Sequence, residues 1–525
     1  MIRNAVGRLN ACPPAVIVGR IACFHHISHT LEARWRLQRE GAERSFTRGV
    51  AWVSAGALSA RAITLISSVI LARLLLPEHF GLYNMSVIVV HAVQMLPDLG
   101  LGHALIAHRG DTRQVAHSLF LPVMLTASTA ALLVCLLAPQ VALVMKEPAV
   151  VPLLRALSLN IVVMAAASIP TALLQKAQRW RAQALTEFLP PLVSAGVMVT
   201  LAALGYGAWS IVWGTVSRAV ALAITVWWLT GWCPKLMFNW SLFVEMFRFG
   251  RWIILDRLSA FALLNADTAY LARWQGAQIL GYYALPYNWT TLPINQLAVQ
   301  ANRVLFPVLS QVEDKQAQQT TLLRACRLLS FVLSPIYFFW LFNAQVFVLG
   351  LFTSKWLPCV PVLQWLSVYA LAHGIAGGIL VSFFWATRRP QVAVYAYWVS
   401  LVVALGGLAY GRGQWGAVAV AQVFTLAMFA RSAFMIGGLV RLYGMRFRLL
   451  WRAVTDGWAA AAGASAIAWG ATYLLPLPAI VELVIAALIH GNLYLLLYGW
   501  QYHRNPTAYY TRRQWKAVLS GHAHE

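Results

Sequence analysis

The stretch LARLLLPEHFGLY at residues 71–83 is written a second time as LARWQGAQILGYY at residues 271–283. Extended backwards without a gap, residues 48–83 lie on 248–283 with identities at Arg48, Trp52, Leu58, Ser59, Ala60, Ala62, Leu71, Ala72, Arg73, Gly81 and Tyr83, which is 11 of 36 positions. Arg, Trp, Gly and Tyr are not the residues an apolar composition supplies by chance. The chain therefore contains two related halves, and the repeated phrase asks what Gly-x-Tyr does in each.

Composition sets the solvent in which those halves fold. Sixty per cent of the 525 residues are hydrophobic and 11% are charged, at a mean hydropathy of +0.66, against roughly 25% charged in an ordinary soluble domain. The chain reads as an all-α polytopic membrane protein. Its formal net charge of +24 would suggest nucleic acid if the cations formed one patch on a soluble domain. They are instead scattered between apolar runs, so no nucleic-acid partner is expected. The six cysteines lie far apart with no CxxC and read as packing residues.

A bilayer core takes about 20 apolar residues per helix, and about fourteen such runs are present. Span one is expected at 49–72, span two at 80–106, span seven at 250–272 and span eight at 280–302. With the N-terminus inside, 30 of the 40 Lys and Arg fall in cytoplasmic segments, five (Arg73, Lys146, Arg273, Lys355, Arg412) fall outside, and five lie within spans. That asymmetry predicts N-in and C-in. Six spans separate the two copies, an even number, so the halves are parallel and related by a pseudo-two-fold along the membrane normal. The expected organisation is a basic cytoplasmic extension at 1–45, an N-lobe of six spans at 46–229, an amphipathic linker at 230–249 and a C-lobe of six spans at 250–440. Two extra spans at 441–500 and a basic tail at 501–525 complete it. The lobes are expected to enclose a central cavity. The connectors FNWSLFVEMFRFG (238–250) and RFRLLWRAV (446–454) are amphipathic, and each reads either as an interfacial helix or as an extension of the next span.

Several phrases, ARLLLPEHFGLYNM (72–85), DLGLGHALI (98–106), PKLMFNWSLFVEMFRFG (234–250), RVLFPVLSQVEDK (303–315) and KWLPCVPVLQWLSV (355–368), carry a family likeness. The chain resembles the Wzx-type polysaccharide flippases of the multidrug/oligosaccharidyl-lipid/polysaccharide exporter superfamily, from about residue 46 to about 440. The resemblance implies two six-helix lobes around a cavity. It further implies transfer of undecaprenyl-diphosphate-linked oligosaccharide from the inner to the outer leaflet of the bacterial inner membrane, for exopolysaccharide, capsule or O-antigen synthesis. The polyprenyl-diphosphate oligosaccharide and membrane lipids are the implied partners, with a polysaccharide polymerase and export machinery beside them. FFWATRRPQ (383–391) stands where relatives commonly end in Leu-Gly-Arg, and the long N-terminal extension is also a departure.

Charges at bilayer depth are the first candidates for function. Arg61 lies about twelve residues into span one, near mid-membrane, and the repeat register places it one helical turn from Arg257. A planar donor fork suits a diphosphate, so Arg61 and Arg257, with Arg303 at the inside end of span eight, are expected to receive the head group. The alternative is structural pairing, Arg257 with Asp256 or Asp267 and Arg61 with Asp98. Asp256 and Asp267 are eleven residues apart, near three full turns, and share one face of span seven. They either bind a coupling ion, H+ or Na+, or balance the arginines. His91 is a weaker protonation candidate, with burial as a packing residue the alternative. Arg73 and Arg273 are expected at the outer rim.

No cofactor and no metal site are expected. GRGQWG (411–416) matches a nucleotide-binding glycine pattern but sits in a short turn with no strand before it. HHISH (25–29) lies in a polar tail, and no Walker A lysine exists. A polysaccharide polymerase or glycosyltransferase would need an acidic aqueous site, whereas the outside loops are short and carry only Glu78 and Glu147. Within the resemblance, a lipid-II-type or drug exporter remains an alternative. The last two spans offer either a groove for a polyprenyl tail or packing surface.

Overall fold

The repeated phrase folds as a helix end, a two-residue break and a helix start. The first helix, α1 (Ser54–Leu74), stops at Leu75 and Leu76, and α2 (Pro77–Asp98) begins with proline at its first position. Proline suits that place because its missing N–H is one the helix cannot use there and its φ is already helical. The second copy ends α7 (264–274) and starts α8 (Gly276–Gln311), with Gly276 at φ +80° supplying the turn.

The computed structural model describes residues 54–98, 112–177, 179–235, 264–311, 314–473 and 478–504, with Trp52, Leu105 and Phe261 besides. Among these it is helical without a strand. Between α2 and α7 come α3 (Thr112–Met145), α4 (Val150–Lys176), α5 (Trp180–Ala203) and α6 (Ala208–Thr230). After α8 come α9 (Lys315–Leu351), a 3-10 turn at Ser354–Cys359, and α10, which runs from Val360 to Ala386 through a π-helical segment at Gly374–Leu380. The remainder are α11 (Pro390–Tyr410), α12 (Ala417–Tyr443), α13 (Phe447–Tyr473) and α14 (Ala479–Arg504).

Ten of the described helices are long and apolar enough to cross a membrane, and α2, α7, α8 and α13 fall outside that set. Leucines such as Leu58, Leu136, Leu488 and Leu496 are exposed around the outside, a surface that water would penalise and lipid does not. Buried hydroxyls turn back on their own helix instead of seeking water: Ser86 donates to the Leu82 carbonyl, Thr290 to Pro286, Ser367 to Leu363 and Thr425 to Ala421.

Several helices run past their apolar segment. The third reaches 34 residues, about 51 Å at 1.5 Å per residue against a hydrocarbon core of about 30 Å. Hydropathy detects the part in lipid, while backbone bonding carries the helix through the headgroup layer. The amphipathic stretch 446–454 likewise joins the first turns of α13 as a continuous helix, with Phe447 and Trp451 exposed and stacked 5.9 Å apart. Most of the linker, residues 236–249, lies outside the described residues, as do the 1–45 extension and all of the C-terminal tail but Gln501–Arg504.

The last two helices lean on α9. Asn343, fully buried where α9 kinks, donates to the Ser465 carbonyl of α13 at 3.2 Å, and the Tyr494 hydroxyl of α14 donates to the Phe331 carbonyl at 2.8 Å. Ser465 and His490 hydrogen-bond at 3.1 Å between α13 and α14. These bonds give the pair a packing role on the second half.

Candidate functional site

The glycine of each repeated phrase sits where the other half comes closest. A Cβ added at Gly81 on α2 would lie 1.7 Å from the Ala277 carbonyl oxygen of α8, and one added at Gly281 on α8 would lie 1.9 Å from the Pro77 oxygen of α2. Positions 77 and 277 correspond in the repeat, so the contact is reciprocal about the pseudo-two-fold. Only glycine allows two backbones to approach this closely, as in small-residue crossings of membrane helices generally.

Side chains of the hairpin reinforce that junction. The Arg73 guanidinium donates from Nε to the Leu351 carbonyl at 2.8 Å and from Nη2 to Gly350 at 2.7 Å, using carbonyls at the end of α9 that have no partner within their helix. Lys355 Nζ returns a bond to the Arg73 carbonyl at 2.7 Å, and the buried Trp356 indole donates to the Ala72 carbonyl at 2.7 Å. Its ring meets Phe80 and Tyr282 edge-on at 5.3 and 6.2 Å. The second copy is wired differently: Arg273 lies over Trp274 at 5.7 Å, and Gln275 donates to the Gly413 carbonyl at 2.8 Å, all within the second half. At this end the two halves are closed against each other.

The tyrosine of each phrase faces inward to its own half. On α2 the Tyr83 hydroxyl meets Thr215 of α6 at 3.1 Å. On α8 the Tyr283 hydroxyl donates to Asp267 Oδ2 at 2.6 Å, while Oδ1 accepts the Thr268 N–H at 2.6 Å. Asp267 is 1% exposed, so these donors replace the water a carboxylate would otherwise need. Around it the second half builds a polar core. Tyr283 stacks on Tyr287 at 5.8 Å, Tyr369 stacks on His373 at 5.6 Å, and Tyr369 lies within electrostatic reach of both Asp267 and Arg431. Arg431 on α12 is 1% exposed, with its guanidinium 3.7 Å from the centre of the Tyr397 ring and its Nε and Nη2 without hydrogen-bond partners. A void of about 10 Å³ lies between Leu264, Tyr287, Tyr369, Ser400 and Arg431, room for about one water. The π-helical turn begins directly after His373, and such turns recur at functional sites.

Of the residues singled out in the sequence, Asp267 is placed in this core and Arg73 is bonded to the opposite half. Arg61 is half-buried on α1, and the carboxylate acting on it is Glu187 of α5, an acid from its own half. Asp98 ends α2 and Arg303 lies within α8, with side chains outside the described residues; Asp256 and Arg257 lie outside them altogether. His91 lies on α2, toward the Asp98 end of that helix. Arg431 and the tyrosines were not singled out. The signal for Arg431 was the one used for Arg61, an arginine within an apolar span, and the signal for Tyr283 was its repetition.

Comparison with known proteins gives this arrangement a family. The family profile described as "Polysaccharide biosynthesis protein" matches residues 70–361, from the first hairpin to the start of α10. The chain belongs to this polysaccharide biosynthesis protein family. Curated relatives include the succinoglycan biosynthesis transport protein ExoT of Rhizobium meliloti (strain 1021), 26% identical over 70% of this chain and 74% of the relative. The lipopolysaccharide biosynthesis protein WzxC of Escherichia coli (strain K12) is 23% identical over 73% of this chain and 78% of the relative. Among solved structures, the lipid II flippase MurJ in an inward closed conformation superposes with a TM-score of 0.68 at 13% identity, covering 85% of this chain and 98% of that one. An inward-facing multidrug resistance MATE family transporter of the MOP superfamily superposes at 0.57 with 15% identity, covering 75% and 96%. This member of the polysaccharide biosynthesis family is thus a multi-pass membrane protein with the MurJ- and MATE-like transporter fold.

Proposed function

We propose that this protein moves an undecaprenyl-diphosphate-linked oligosaccharide from the inner to the outer leaflet of the bacterial inner membrane by alternating access, with both termini in the cytoplasm. The observation that carries the reading is the reciprocal glycine crossing. The outer seal is made of one close contact on the symmetry axis and a rim of side-chain bonds, so rocking the halves apart opens it without unpacking either half. With the outer ends sealed, the cavity between the halves accepts substrate from the inside. Arg61, Arg257 and Arg303 receive the diphosphate, and the oligosaccharide is delivered to a polymerase on the outer side.

In this reading Asp267 couples the swing to an ion gradient. Its carboxylate oxygens already accept from the Tyr283 hydroxyl and the Thr268 N–H, an arrangement that suits a proton better than Na+, which needs several oxygen ligands turned toward it.

The test is complementation of polymer export in a deletion strain, with lipid-linked oligosaccharide assayed by leaflet. Deletion is expected to abolish polymer and to accumulate the oligosaccharide on the inner leaflet; a polymerase would leave it unpolymerised on the outer leaflet. Arg61→Ala and Arg257→Ala are expected to reproduce the deletion. Normal export by both variants at wild-type protein levels refutes the diphosphate assignment.

A further inference from the structure

A second polar chamber lies away from the lobe interface, at the end of the N-lobe opposite the hairpin. There the start of α3 and the ends of α4 and α6 stand around a cavity of about 840 Å³, a volume in the range of small-molecule sites. Its lining carries four cations, Arg113, Lys176, Arg179 and Lys235, and no carboxylate among the described residues.

Two of the four are fixed in the wall by bonds to neighbouring backbone. Lys176 Nζ donates to the Leu105 carbonyl at 3.0 Å and Arg179 Nη1 to the Leu229 carbonyl at 2.9 Å. The backbone N–H of Lys235 donates to His117 Nδ1 at 3.0 Å, which holds the chain after α6 across the start of α3. The floor is aromatic: Trp232 stacks on His117 at 5.3 Å and meets Phe120 and Trp227 at 5.6 and 5.8 Å. Trp232 is 7% exposed, and its indole N–H is buried without an acceptor.

Tryptophans at helix ends mark the headgroup layer of a bilayer. A cationic, roomy chamber in that layer, with an aromatic floor, matches an anionic group that bears oxygen acceptors and is carried on a lipid. We propose that this chamber binds the phosphate of an anionic lipid headgroup in the leaflet that this end of the protein meets. The inference rests on the membrane-spanning fold and stands apart from the transport reading.

Cys233 lines the chamber, is exposed, and reports on its occupancy. The full-length protein is reconstituted in nanodiscs of phosphatidylcholine alone or mixed with phosphatidylglycerol. Maleimide modification of Cys233 is followed by peptide mapping, with Cys135 as the internal control, and retained lipid is read by native mass spectrometry. Phosphatidylglycerol is expected to slow Cys233 modification several-fold and to be retained over phosphatidylcholine, with Cys135 unaffected. The variant K235Q leaves the Lys176 and Arg179 wall bonds and the Lys235 backbone bond in place, so its melting curve is expected to match the wild type while protection and retention fall several-fold. In detergent, polyprenyl diphosphate is expected to protect as well. Protection by inorganic phosphate equal to that by either lipid reassigns the chamber to a soluble anion and overturns the proposal. Equal modification with and without phosphatidylglycerol, or wild-type protection in K235Q, overturns it too. A protein that protects Cys233 yet exports nothing keeps this inference and loses the other.

Discussion

Gly81→Ala places a methyl group 1.7 Å from the Ala277 carbonyl oxygen, where ordinary van der Waals contact begins at 3.4 Å. The obstruction is backbone on α8, so no rotamer change relieves it, and α2 and α8 must part by the difference between those distances, about 1.7 Å. Overpacking of this kind costs about 1–3 kcal/mol. The cost falls only on the state in which the hairpin ends are sealed, so the equilibrium between sealed and open moves about 5- to 150-fold toward open. Gly281→Ala meets the Pro77 oxygen at 1.9 Å and is expected to act alike. The two changes relieve one another once the helices have parted, so the double variant is expected to be less than additive. Glu78 and Gln278 are exposed and occupy corresponding positions in the repeat. Spin labels on Glu78→Cys and Gln278→Cys, with Cys12, Cys23, Cys135 and Cys233 replaced by serine, report their separation by pulsed electron paramagnetic resonance. The parent is expected to give a short, narrow distance population, and each alanine variant to lose it to longer distances together with loss of export. Gly196→Ala on α5, where an added Cβ meets nothing within 4 Å, is the control and is expected to leave the distances unchanged. An unchanged short population with normal export in both Gly81→Ala and Gly281→Ala refutes the glycine seal.

Tyr283→Phe removes one donor from a buried carboxylate, and is expected to lower stability by about 1.5–3 kcal/mol; Asp267→Asn in the same background is expected to cost less than it does alone, measured by a thermal double-mutant cycle. His79, at the start of α2 in the hairpin, accepts the Leu76 N–H on Nδ1 at 3.3 Å, and burial first, then Lys355, lowers its pKa below the ordinary 6.5, with Glu78 opposing. The unfolded hairpin therefore binds the proton more readily, so the His79 contribution is present above about pH 6.5 and lost as pH falls below it. Acidification is expected to lengthen the 78–278 distance in the parent, and His79→Asn is expected to flatten that pH response.

The helical rods and the parallel repeat were legible because each follows from short-range rules. Apolar runs of bilayer length mark helices, and an even number of spans between copies fixes their relative direction. The rim placement of Arg73 was expected from the same counting; in the structure Arg73 makes two bonds to the end of α9. Helix ends were less legible: α2 starts at Pro77, where span two was expected from residue 80, and α3 extends to Met145. Hydropathy reports the lipid-facing part, while main-chain bonding continues beyond it. The polar core of the second half was not legible. Asp267, Tyr283, Tyr369 and Arg431 span more than 160 positions of the sequence, and no local spacing brings α7, α8, α10 and α12 to one point. The basic chamber was illegible for the same reason, since its cations come from three separate connections and each reads alone as an ordinary inside charge.

By itself the sequence determined the solvent, the helices and the existence of two halves, because burial of apolar surface and backbone self-satisfaction in lipid act residue by residue. Only the tertiary structure decided what the repeated Gly-x-Tyr is for. The glycine faces the opposite half and lets two backbones touch, while the tyrosine, two residues on, faces its own half, bonding Thr215 in one copy and Asp267 in the other. Which neighbour each meets depends on how the helices cross, a choice made by packing across long separations that no periodicity within a single helix encodes.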